Sequence, residues 1–251
     1  MPPAVNAATI ILLRDGSDGP EVFMLRRHAG ASFMAGAWVF PGGGLEPTDA
    51  TVPTHLVDDP SAADLALRIA AVRETFEESG VLLGRLPEGR HPSPTDLAEM
   101  GAEAARARLN DRGDAWDWAE WLDAHDVVLE AGSLGFASWW ITPEAEPKRF
   151  DTRFYVAAVP AEQDARHDDI ETSDSVWVTP ADALVAADRG EALVVPPTRK
   201  NLEALLPFPS ARAAVDHARG TPDPDPILPV VERRGDEVWV THPSLGSLRI
   251  R

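Results

Sequence analysis

The strongest constraint on the fold of this chain is one helical segment that is apolar along one side and acidic at its end. Helical periodicity runs over residues 61–79 and predicts a stripe that must be buried against other elements. The stripe consists of Leu65, Ile69, Val72 and Phe76. Glu74, Glu77 and Glu78 lie on the other side of the helix, and Gly80 follows where a C-terminal cap glycine is expected.

The acidic last turn of this helix has two interpretations. Like charges three and four residues apart repel by roughly a few tenths of a kcal/mol per pair, and the C-terminal end of a helix disfavours anions. A solvated acidic face is one interpretation, because 41 acidic residues outnumber 23 basic ones in this chain. Metal binding is the other, because Mg²⁺ and Mn²⁺ prefer clustered carboxylate oxygens.

The charge and composition of the chain exclude several classes of protein. A formal net charge of −18 over 251 residues argues against a nucleic-acid partner and against an anionic membrane surface. The lack of cysteine excludes disulfides, thiolate zinc sites, iron–sulfur clusters and a cysteine nucleophile. No apolar run approaches the ~18 residues of a membrane span, and no signal-peptide pattern follows Met1. We therefore expect a cytoplasmic protein without a membrane partner.

Strand-like and helix-like segments alternate along the chain, which predicts one α/β domain with insertions. The chain opens with a hairpin expected from the apolar runs at 7–13 and 21–25. A stiff linker rich in proline and aspartate, 221–226, separates a main domain, 1–220, from a C-terminal extension, 221–251, that contains a second hairpin.

A run of three glycines, Gly42 to Gly44, directly follows the strand-like residues Trp38 to Phe40 and a proline. Glycine allows close backbone approaches that a side chain prevents. A plain turn and a ligand-binding loop are both consistent with this run. The motifs on either side of the glycine run are needed to choose between these two interpretations.

The glycine run and the acidic turn together resemble the two halves of the Nudix box, G-x5-E-x7-R-E-U-x-E-E-x-G-U with U aliphatic. The first half matches from Gly43 to Asp49, which stands where the family has glutamate. Residues 50–72, 23 in number, follow Asp49 where the pattern has seven, so 16 are inserted. Thr75 also replaces an aliphatic residue, and the role of Asp49 is not assumed. The second half matches Arg73, Glu74, Glu77, Glu78, Gly80 and Val81.

This resemblance implies a fold and a reaction. The fold is a Nudix-type α/β/α sandwich with a mixed sheet, a helical insertion and a C-terminal β-hairpin. The main domain then carries a loop insertion at about 50–65 and a helical insertion at about 90–135. The reaction is hydrolysis of a nucleoside diphosphate linked to another moiety, with Mg²⁺ or Mn²⁺ as cofactor.

The resemblance also implies roles for individual residues. Glu77 and Glu78 are the leading metal ligands, and Glu74 is a third ligand or the general base. The carbonyl of Gly43 is a further metal contact, and Arg73 orients the carboxylates by a charge-assisted hydrogen bond. An extra acid from a loop before a late strand is expected to be Glu171, as base or ligand, with Asp174 second; a solvated acidic loop is the alternative.

Further motifs are similar to the coenzyme A diphosphatase branch of this family. The first is the G-x3-F-P-G-G pattern from Gly36 to Gly43, with Arg27 where that branch has a basic residue upstream. Two later segments, 150–155 and 196–203, resemble animal acyl-CoA diphosphatases of the motif-19 type. That type also has an insertion inside its box. Cleavage of coenzyme A or acyl-CoA to 3′,5′-ADP and (acyl-)4′-phosphopantetheine is therefore implied. The expected substrate contacts are Arg27, Phe40, Gly42, Arg199 and Lys200.

Arg199 and Lys200 are expected to form an anion-binding site. This site depends on Thr198 as the N-cap of a helix expected over 201–206. Ordinary solvated cations are the alternative. The alternatives to coenzyme A are ADP-ribose or another nucleotide, and a non-catalytic ligand-binding module with this fold. The zinc-ribbon type of NADH hydrolase is excluded by the absence of cysteine. Oligomeric state stays open, with a homodimer as one option.

Overall fold

The structure of the chain, a computed structural model, describes residues 2–28, 30, 34–111, 116–167, 172–235 and 237–249, without the side chains of 248 and 249. The strands are β1 (Val5–Gly16), β2 (Gly19–Arg27), β3 (Trp38–Val39), β4 (Gly42–Gly44), β5 (Gly84–Arg85), β6 (Val128–Leu129), β7 (Gly135–Ile141), β8 (Phe150–Ala158), β9 (Thr172–Val178), β10 (Pro226–Ile227), β11 (Val230–Arg234), β12 (Glu237–His242) and β13 (Gly246–Arg249). The helices are α1 (Leu65–Ser79), α2 (Pro94–Glu99), α3 (Ala102–Asn110), α4 (Trp118–Ala124), α5 (Pro180–Asp188), α6 (Pro196–Leu205) and α7 (Ala211–Gly220).

A mixed sheet forms the centre of the protein. Its strands run in the order β10-β7-β8-β1-β2-β3, with β4 paired to β1 and β9 paired to β2. The pairing of β1 with β8 is parallel, whereas the pairings of β1 with β2 and with β4 are antiparallel. The predicted α/β fold with a mixed sheet and an opening hairpin is confirmed.

Side chains along β1 alternate between two cores, as the period of a strand requires. Ile10 and Leu12 belong to a first core that includes α1 and residues of α3 and α4. Ile11 and Leu13 belong to a second core that includes residues of α5, α6 and α7. Helices therefore cover both faces of the sheet, which is the predicted α/β/α sandwich.

Helix α1 is central to the first core. It begins at Leu65 rather than at residue 61, because Asp64 before it has left-handed backbone angles, with φ of 54°. It ends as predicted at Gly80, whose φ is 75° and whose N–H bonds the carbonyl of Phe76. Every residue from Leu67 to Ser79 is buried, so the helix has no solvent-exposed face after its first turn.

The remaining segments lie around this sandwich. Residues 50–65 contain the end of one short 3₁₀ turn, Pro47–Thr51, and the whole of another, Thr54–Leu56. Residues 90–135 contain α2, α3 and α4. The predicted C-terminal hairpin is present as β11 and β12, and β13 adds a third antiparallel strand. Within the described ranges, no helix is both long and apolar enough to cross a membrane.

Candidate active site

The three glycines of β4 each meet a different side chain from the end of α1. The N–H of Gly42 donates to Glu78 Oε2 at 2.8 Å. A Cβ on Gly43 would lie 2.4 Å from Glu74 Cδ, so any side chain there would displace that carboxylate from its observed position. The carbonyl of Gly44 accepts from Arg73 Nη2 at 3.0 Å. The glycine run is therefore a docking strand for the acidic turn, not a plain turn.

The guanidinium of Arg73 is the centre of this cluster. It donates from Nη1 to Glu74 Oε1 at 2.9 Å and to Glu77 Oε2 at 3.5 Å. On its other side it donates to both oxygens of Asp49, from Nε at 2.8 Å and from Nη2 at 3.1 Å. The arrangement fixes the planar guanidinium between carboxylates, which agrees with the orienting role expected for Arg73.

Asp49 is the residue whose importance the sequence did not establish. It is fully buried, and its Oδ2 also accepts from the N–H of Glu46 at 2.8 Å. The available signal was its position six residues after Gly43, which the box pattern shares. The 16 inserted residues between Asp49 and Arg73 obscured that signal. In the structure the two side chains nevertheless lie in direct contact.

The acidic turn is buried, so its interpretation as a solvated face is wrong. Arg73, Glu74, Glu77 and Glu78 are each at most 3% exposed. Burial by itself lowers the pKa of Arg73, but the carboxylates of Glu74 and Asp49 outweigh it and hold this pKa above its ordinary value. Thr75, at the unusual position of the box, is also buried and satisfies its hydroxyl on the carbonyl of Ala71 at 2.8 Å.

The residues of this cluster fit a hard divalent cation by their chemistry. Three buried carboxylates occur within five positions of one helix, and the missing Cβ of Gly43 leaves space beside one of them. In the described part of the chain, no three or more histidine, aspartate or glutamate side chains form a ready metal-binding group. Arg73 and Gly42 instead engage these carboxylates, so ligation by Glu74, Glu77, Glu78 and the Gly43 carbonyl is a proposal.

Two of the predicted substrate contacts flank β3, the strand that precedes the glycine strand in the chain. Arg27 ends β2 and exchanges backbone hydrogen bonds with Gly36 and Ala37, at 3.2 and 3.0 Å. Its Nε is buried and has no hydrogen-bond partner among the described residues. Phe40 is 3% exposed and packs in the second core, so its ring anchors this segment rather than facing solvent.

The other two predicted cations lie on α6, whose residues Leu202 and Leu205 belong to the second core, across the sheet from α1. Arg199 binds Asp188 at 2.7 Å and Glu203 at 3.1 Å, and Lys200 binds Glu203 at 2.8 Å. The described contacts do not bring these cations to the acidic turn.

The expected N-cap of α6 was also wrong. The helix begins at Pro196 and its N-cap is Val195, because two prolines fit the first turn of a helix. Thr198 is therefore inside the helix and buried.

The predicted extra acids have different outcomes. Glu171 lies outside the described residues, so its expected role as base or ligand stays a prediction. Asp174 lies on β9 opposite Arg26 of β2, is exposed, and accepts a hydrogen bond from the N–H of Ser175 at 2.9 Å.

Comparisons with known proteins agree with this geometry. The family model described as NUDT19 Nudix domain matches residues 51–205. Acyl-coenzyme A diphosphatase NUDT19 of Homo sapiens is 28% identical over 235 residues, and that of Gallus gallus is 27% identical over 234 residues. These matches cover 77% and 76% of this chain, but only 62% of each relative. The chain thus spans less than two thirds of the length of these relatives.

A solved structure supports the same relationship. The crystal structure of a NUDIX hydrolase from Alicyclobacillus acidocaldarius is 31% identical and has a TM-score of 0.73. The match covers 86% of this chain and 97% of that chain. Because sequence and fold agree over most of the chain, this protein belongs to the Nudix hydrolase family.

Proposed function

We propose that this Nudix hydrolase cleaves the diphosphate of coenzyme A or acyl-CoA, giving 3′,5′-ADP and (acyl-)4′-phosphopantetheine. The observation that carries the proposal is the buried cluster of Glu74, Glu77 and Glu78 around Arg73, held against the glycine strand. The names of the NUDT19 relatives and the motif from Gly36 to Gly43 support the choice of substrate.

The cofactor proposed is Mg²⁺ or Mn²⁺, held by Glu77, Glu78, Glu74 and the carbonyl of Gly43. A bound divalent cation would supply positive charge to the diphosphate oxygens during attack by water. In an acidic chain of net charge −18, such local positive charge is needed before a polyanionic substrate can approach the carboxylates. Residues of the chain then orient the site: Arg73 fixes Glu74, and Gly42 fixes Glu78.

Substrate recognition is proposed at Arg27, whose buried and unpartnered Nε suits a phosphate oxygen. The 3′-phosphate of the nucleotide is the group proposed to bind there. Arg199 and Lys200 are less suited, because both are held in ion pairs on α6.

The experiment that tests the function incubates the protein with coenzyme A, acyl-CoA, ADP-ribose and NADH, with Mg²⁺, with Mn²⁺ or with excess EDTA. Mass spectrometry of the products is expected to show 3′,5′-ADP and the matching phosphopantetheine, and none in EDTA. Rapid cleavage of ADP-ribose with intact coenzyme A would assign the enzyme to another nucleotide. No cleavage of any substrate would favour a ligand-binding module, and full activity in EDTA would exclude the metal-dependent mechanism.

A further inference from the structure

A buried arginine outside the box contacts the end of the acidic helix. Arg106, from α3, is 9% exposed and donates from Nε to the carbonyl of Glu77 at 3.2 Å. Its Nη2 donates to the carbonyl of Arg166 at 3.3 Å. The N–H of Arg166 in turn donates to the carbonyl of Ser79 at 2.9 Å. One guanidinium therefore joins the last turn of α1 to the segment that precedes β9.

The space for this guanidinium is provided by the glycine that ends α1. A Cβ on Gly80 would lie 3.1 Å from Arg106 Nη1 and 3.3 Å from its Cζ. Gly80 thus provides the left-handed cap of α1, and its lack of a Cβ lets the guanidinium lie close against this cap. A cation at the C-terminal end of a helix is also attracted to the negative end of the helix dipole, which stabilises the helix.

We propose that Arg106 is a positioning residue for the acidic turn. It holds the backbone of Glu77, and with it the carboxylates of Glu77 and Glu78, against the segment at Arg166. Through its charge it also stabilises a turn in which buried carboxylates repel one another. This role belongs to a helix between β5 and β6, outside the segments that carry the box. The inference rests on the proposed function, because the turn it positions is the proposed metal site.

The test uses four variants of the whole chain. Arg106→Met removes the charge and the three side-chain hydrogen bonds of Arg106, but keeps an unbranched chain as long as the arginine stem. Arg106→Lys keeps the charge on a single donor nitrogen, which cannot reproduce the two-sided contact of the guanidinium. Glu103→Gln removes only the exposed ion pair of Arg106, at 3.3 Å. Arg108→Met makes the same chemical change at an exposed position of the same helix.

Two measurements are made on each variant, well below its melting temperature, and a thermal melt is recorded alongside. The first is the Mg²⁺ midpoint, which is the free Mg²⁺ concentration at half-saturation in isothermal titration calorimetry, and the second is kcat and KM for coenzyme A with Mg²⁺. Arg106→Met is expected to raise the Mg²⁺ midpoint and to lower kcat, each by about 10- to 100-fold, as for other residues that orient ligands. KM should change little, because the substrate contacts are elsewhere. Arg106→Lys should lie between Arg106→Met and the parent, and both control variants should match the parent.

Parental values of kcat and of the Mg²⁺ midpoint in Arg106→Met would overturn the inference. So would an equal loss in Arg106→Met, Arg106→Lys and Arg108→Met that follows melting temperature alone. Failure of the proposed function is seen in the parent itself, as absence of coenzyme A hydrolysis. If the parent shows neither hydrolysis nor Mg²⁺ binding in the titration, the inference falls with the proposed function.

Discussion

Asp49 and Arg73 form a buried pair in which the carboxylate accepts two hydrogen bonds from one guanidinium, although 24 positions separate them. Both side chains are fully buried, with exposed fractions of 0% for Asp49 and 1% for Arg73. Arg73 uses its remaining donors on Gly44, Glu74 and Glu77. Asp49 therefore sets the orientation of the guanidinium, and the guanidinium sets the position of the proposed ligands.

Replacing Asp49 by Asn should destabilise the protein and impair the site. The amide would present an NH₂ group to a guanidinium that needs an acceptor, and would remove one of the buried counter-charges of Arg73. We expect the free energy of unfolding in urea to fall by about 3 kcal/mol, and kcat by about tenfold or more. Asp18→Asn, at an exposed turn, is the control. An unchanged urea midpoint in Asp49→Asn would show that the pair contributes little.

The two neighbouring glycines of β4 provide a matched pair of variants. An alanine at Gly43 would place its Cβ against the carboxyl of Glu74, whereas an alanine at Gly44 would meet no atom within 4 Å. We expect Gly43→Ala to lower kcat by about 100-fold through displacement of Glu74, and Gly44→Ala to keep near-parental activity. Steady-state kinetics decide between them. Equal activities of the two variants would contradict a need for close approach at Gly43.

Replacing Glu78 by Gln removes a charge from the acidic turn and keeps an acceptor for the N–H of Gly42, which the carboxylate binds at 2.8 Å. Without metal, the variant should melt no lower than the parent, because repulsion with Glu74 and Glu77 is relieved. With Mg²⁺ at a hundredfold excess over its Kd, the parent should gain about 2.7 kcal/mol.

The Glu78→Gln variant should lose much of this gain and most of its turnover. Paired thermal melts and an activity assay provide the measurement, with the exposed Glu120→Gln as control. A variant that melts lower without metal but keeps its turnover would make Glu78 a structural residue.

Arg27 is expected to distinguish coenzyme A from its 3′-dephospho form. Its buried Nε has no partner among the described residues, and a charge-assisted hydrogen bond is worth about 1.5–3 kcal/mol. Arg27→Met should therefore raise KM for coenzyme A by about tenfold or more and leave KM for 3′-dephospho-coenzyme A unchanged. The exposed neighbour Arg26, replaced by Met, is the control. An equal rise of KM for both substrates would place the 3′-phosphate elsewhere.

We expect the buried phenol of Tyr155 to make the stability of the fold depend on pH above pH 10. Burial raises the pKa of its phenol above the ordinary value of 10.0, although the Arg68 guanidinium acts in the opposite direction. Because the folded pKa is raised, the contribution to stability is complete below pH 10 and is lost as pH rises through the folded pKa.

The variant Tyr155→Phe isolates this effect, because the chain has only one tyrosine. The hydroxyl has no partner among the described residues, so the variant should be as stable as the parent at pH 7, or more stable by about 1 kcal/mol. Urea unfolding at several pH values should show a smaller loss above pH 10 in Tyr155→Phe. Parallel curves for the two proteins would contradict the raised pKa.

Local sequence patterns were sufficient for the opening hairpin, for most of α1 and for the acidic turn. The apolar stripe from Leu65 to Phe76 predicted α1, and Gly80 predicted its end, because both signals depend on neighbours along the helix. The start of the helix was missed, since the left-handed backbone of Asp64 is not encoded by periodicity.

Tertiary contacts decided what local patterns could not. The contacts of Glu74 and Glu78 with β4 join residues that lie 31 and 36 positions apart in the chain. The placement of Phe40 in the second core depends on which face of the sheet it meets. The start of α6 is a different case, because it is set locally by Pro196 and Pro197 in the first turn rather than by Thr198.

The insertion between Asp49 and Arg73 has a consequence for how the protein folds. Closing a loop of 23 residues rather than seven costs only about 1 kcal/mol more in chain entropy, since each doubling of length costs about 0.6 kcal/mol. The longer loop makes the closing contact less local, and less local contacts generally form more slowly. The insertion should therefore delay assembly of the acidic turn during folding while leaving the finished site nearly as stable.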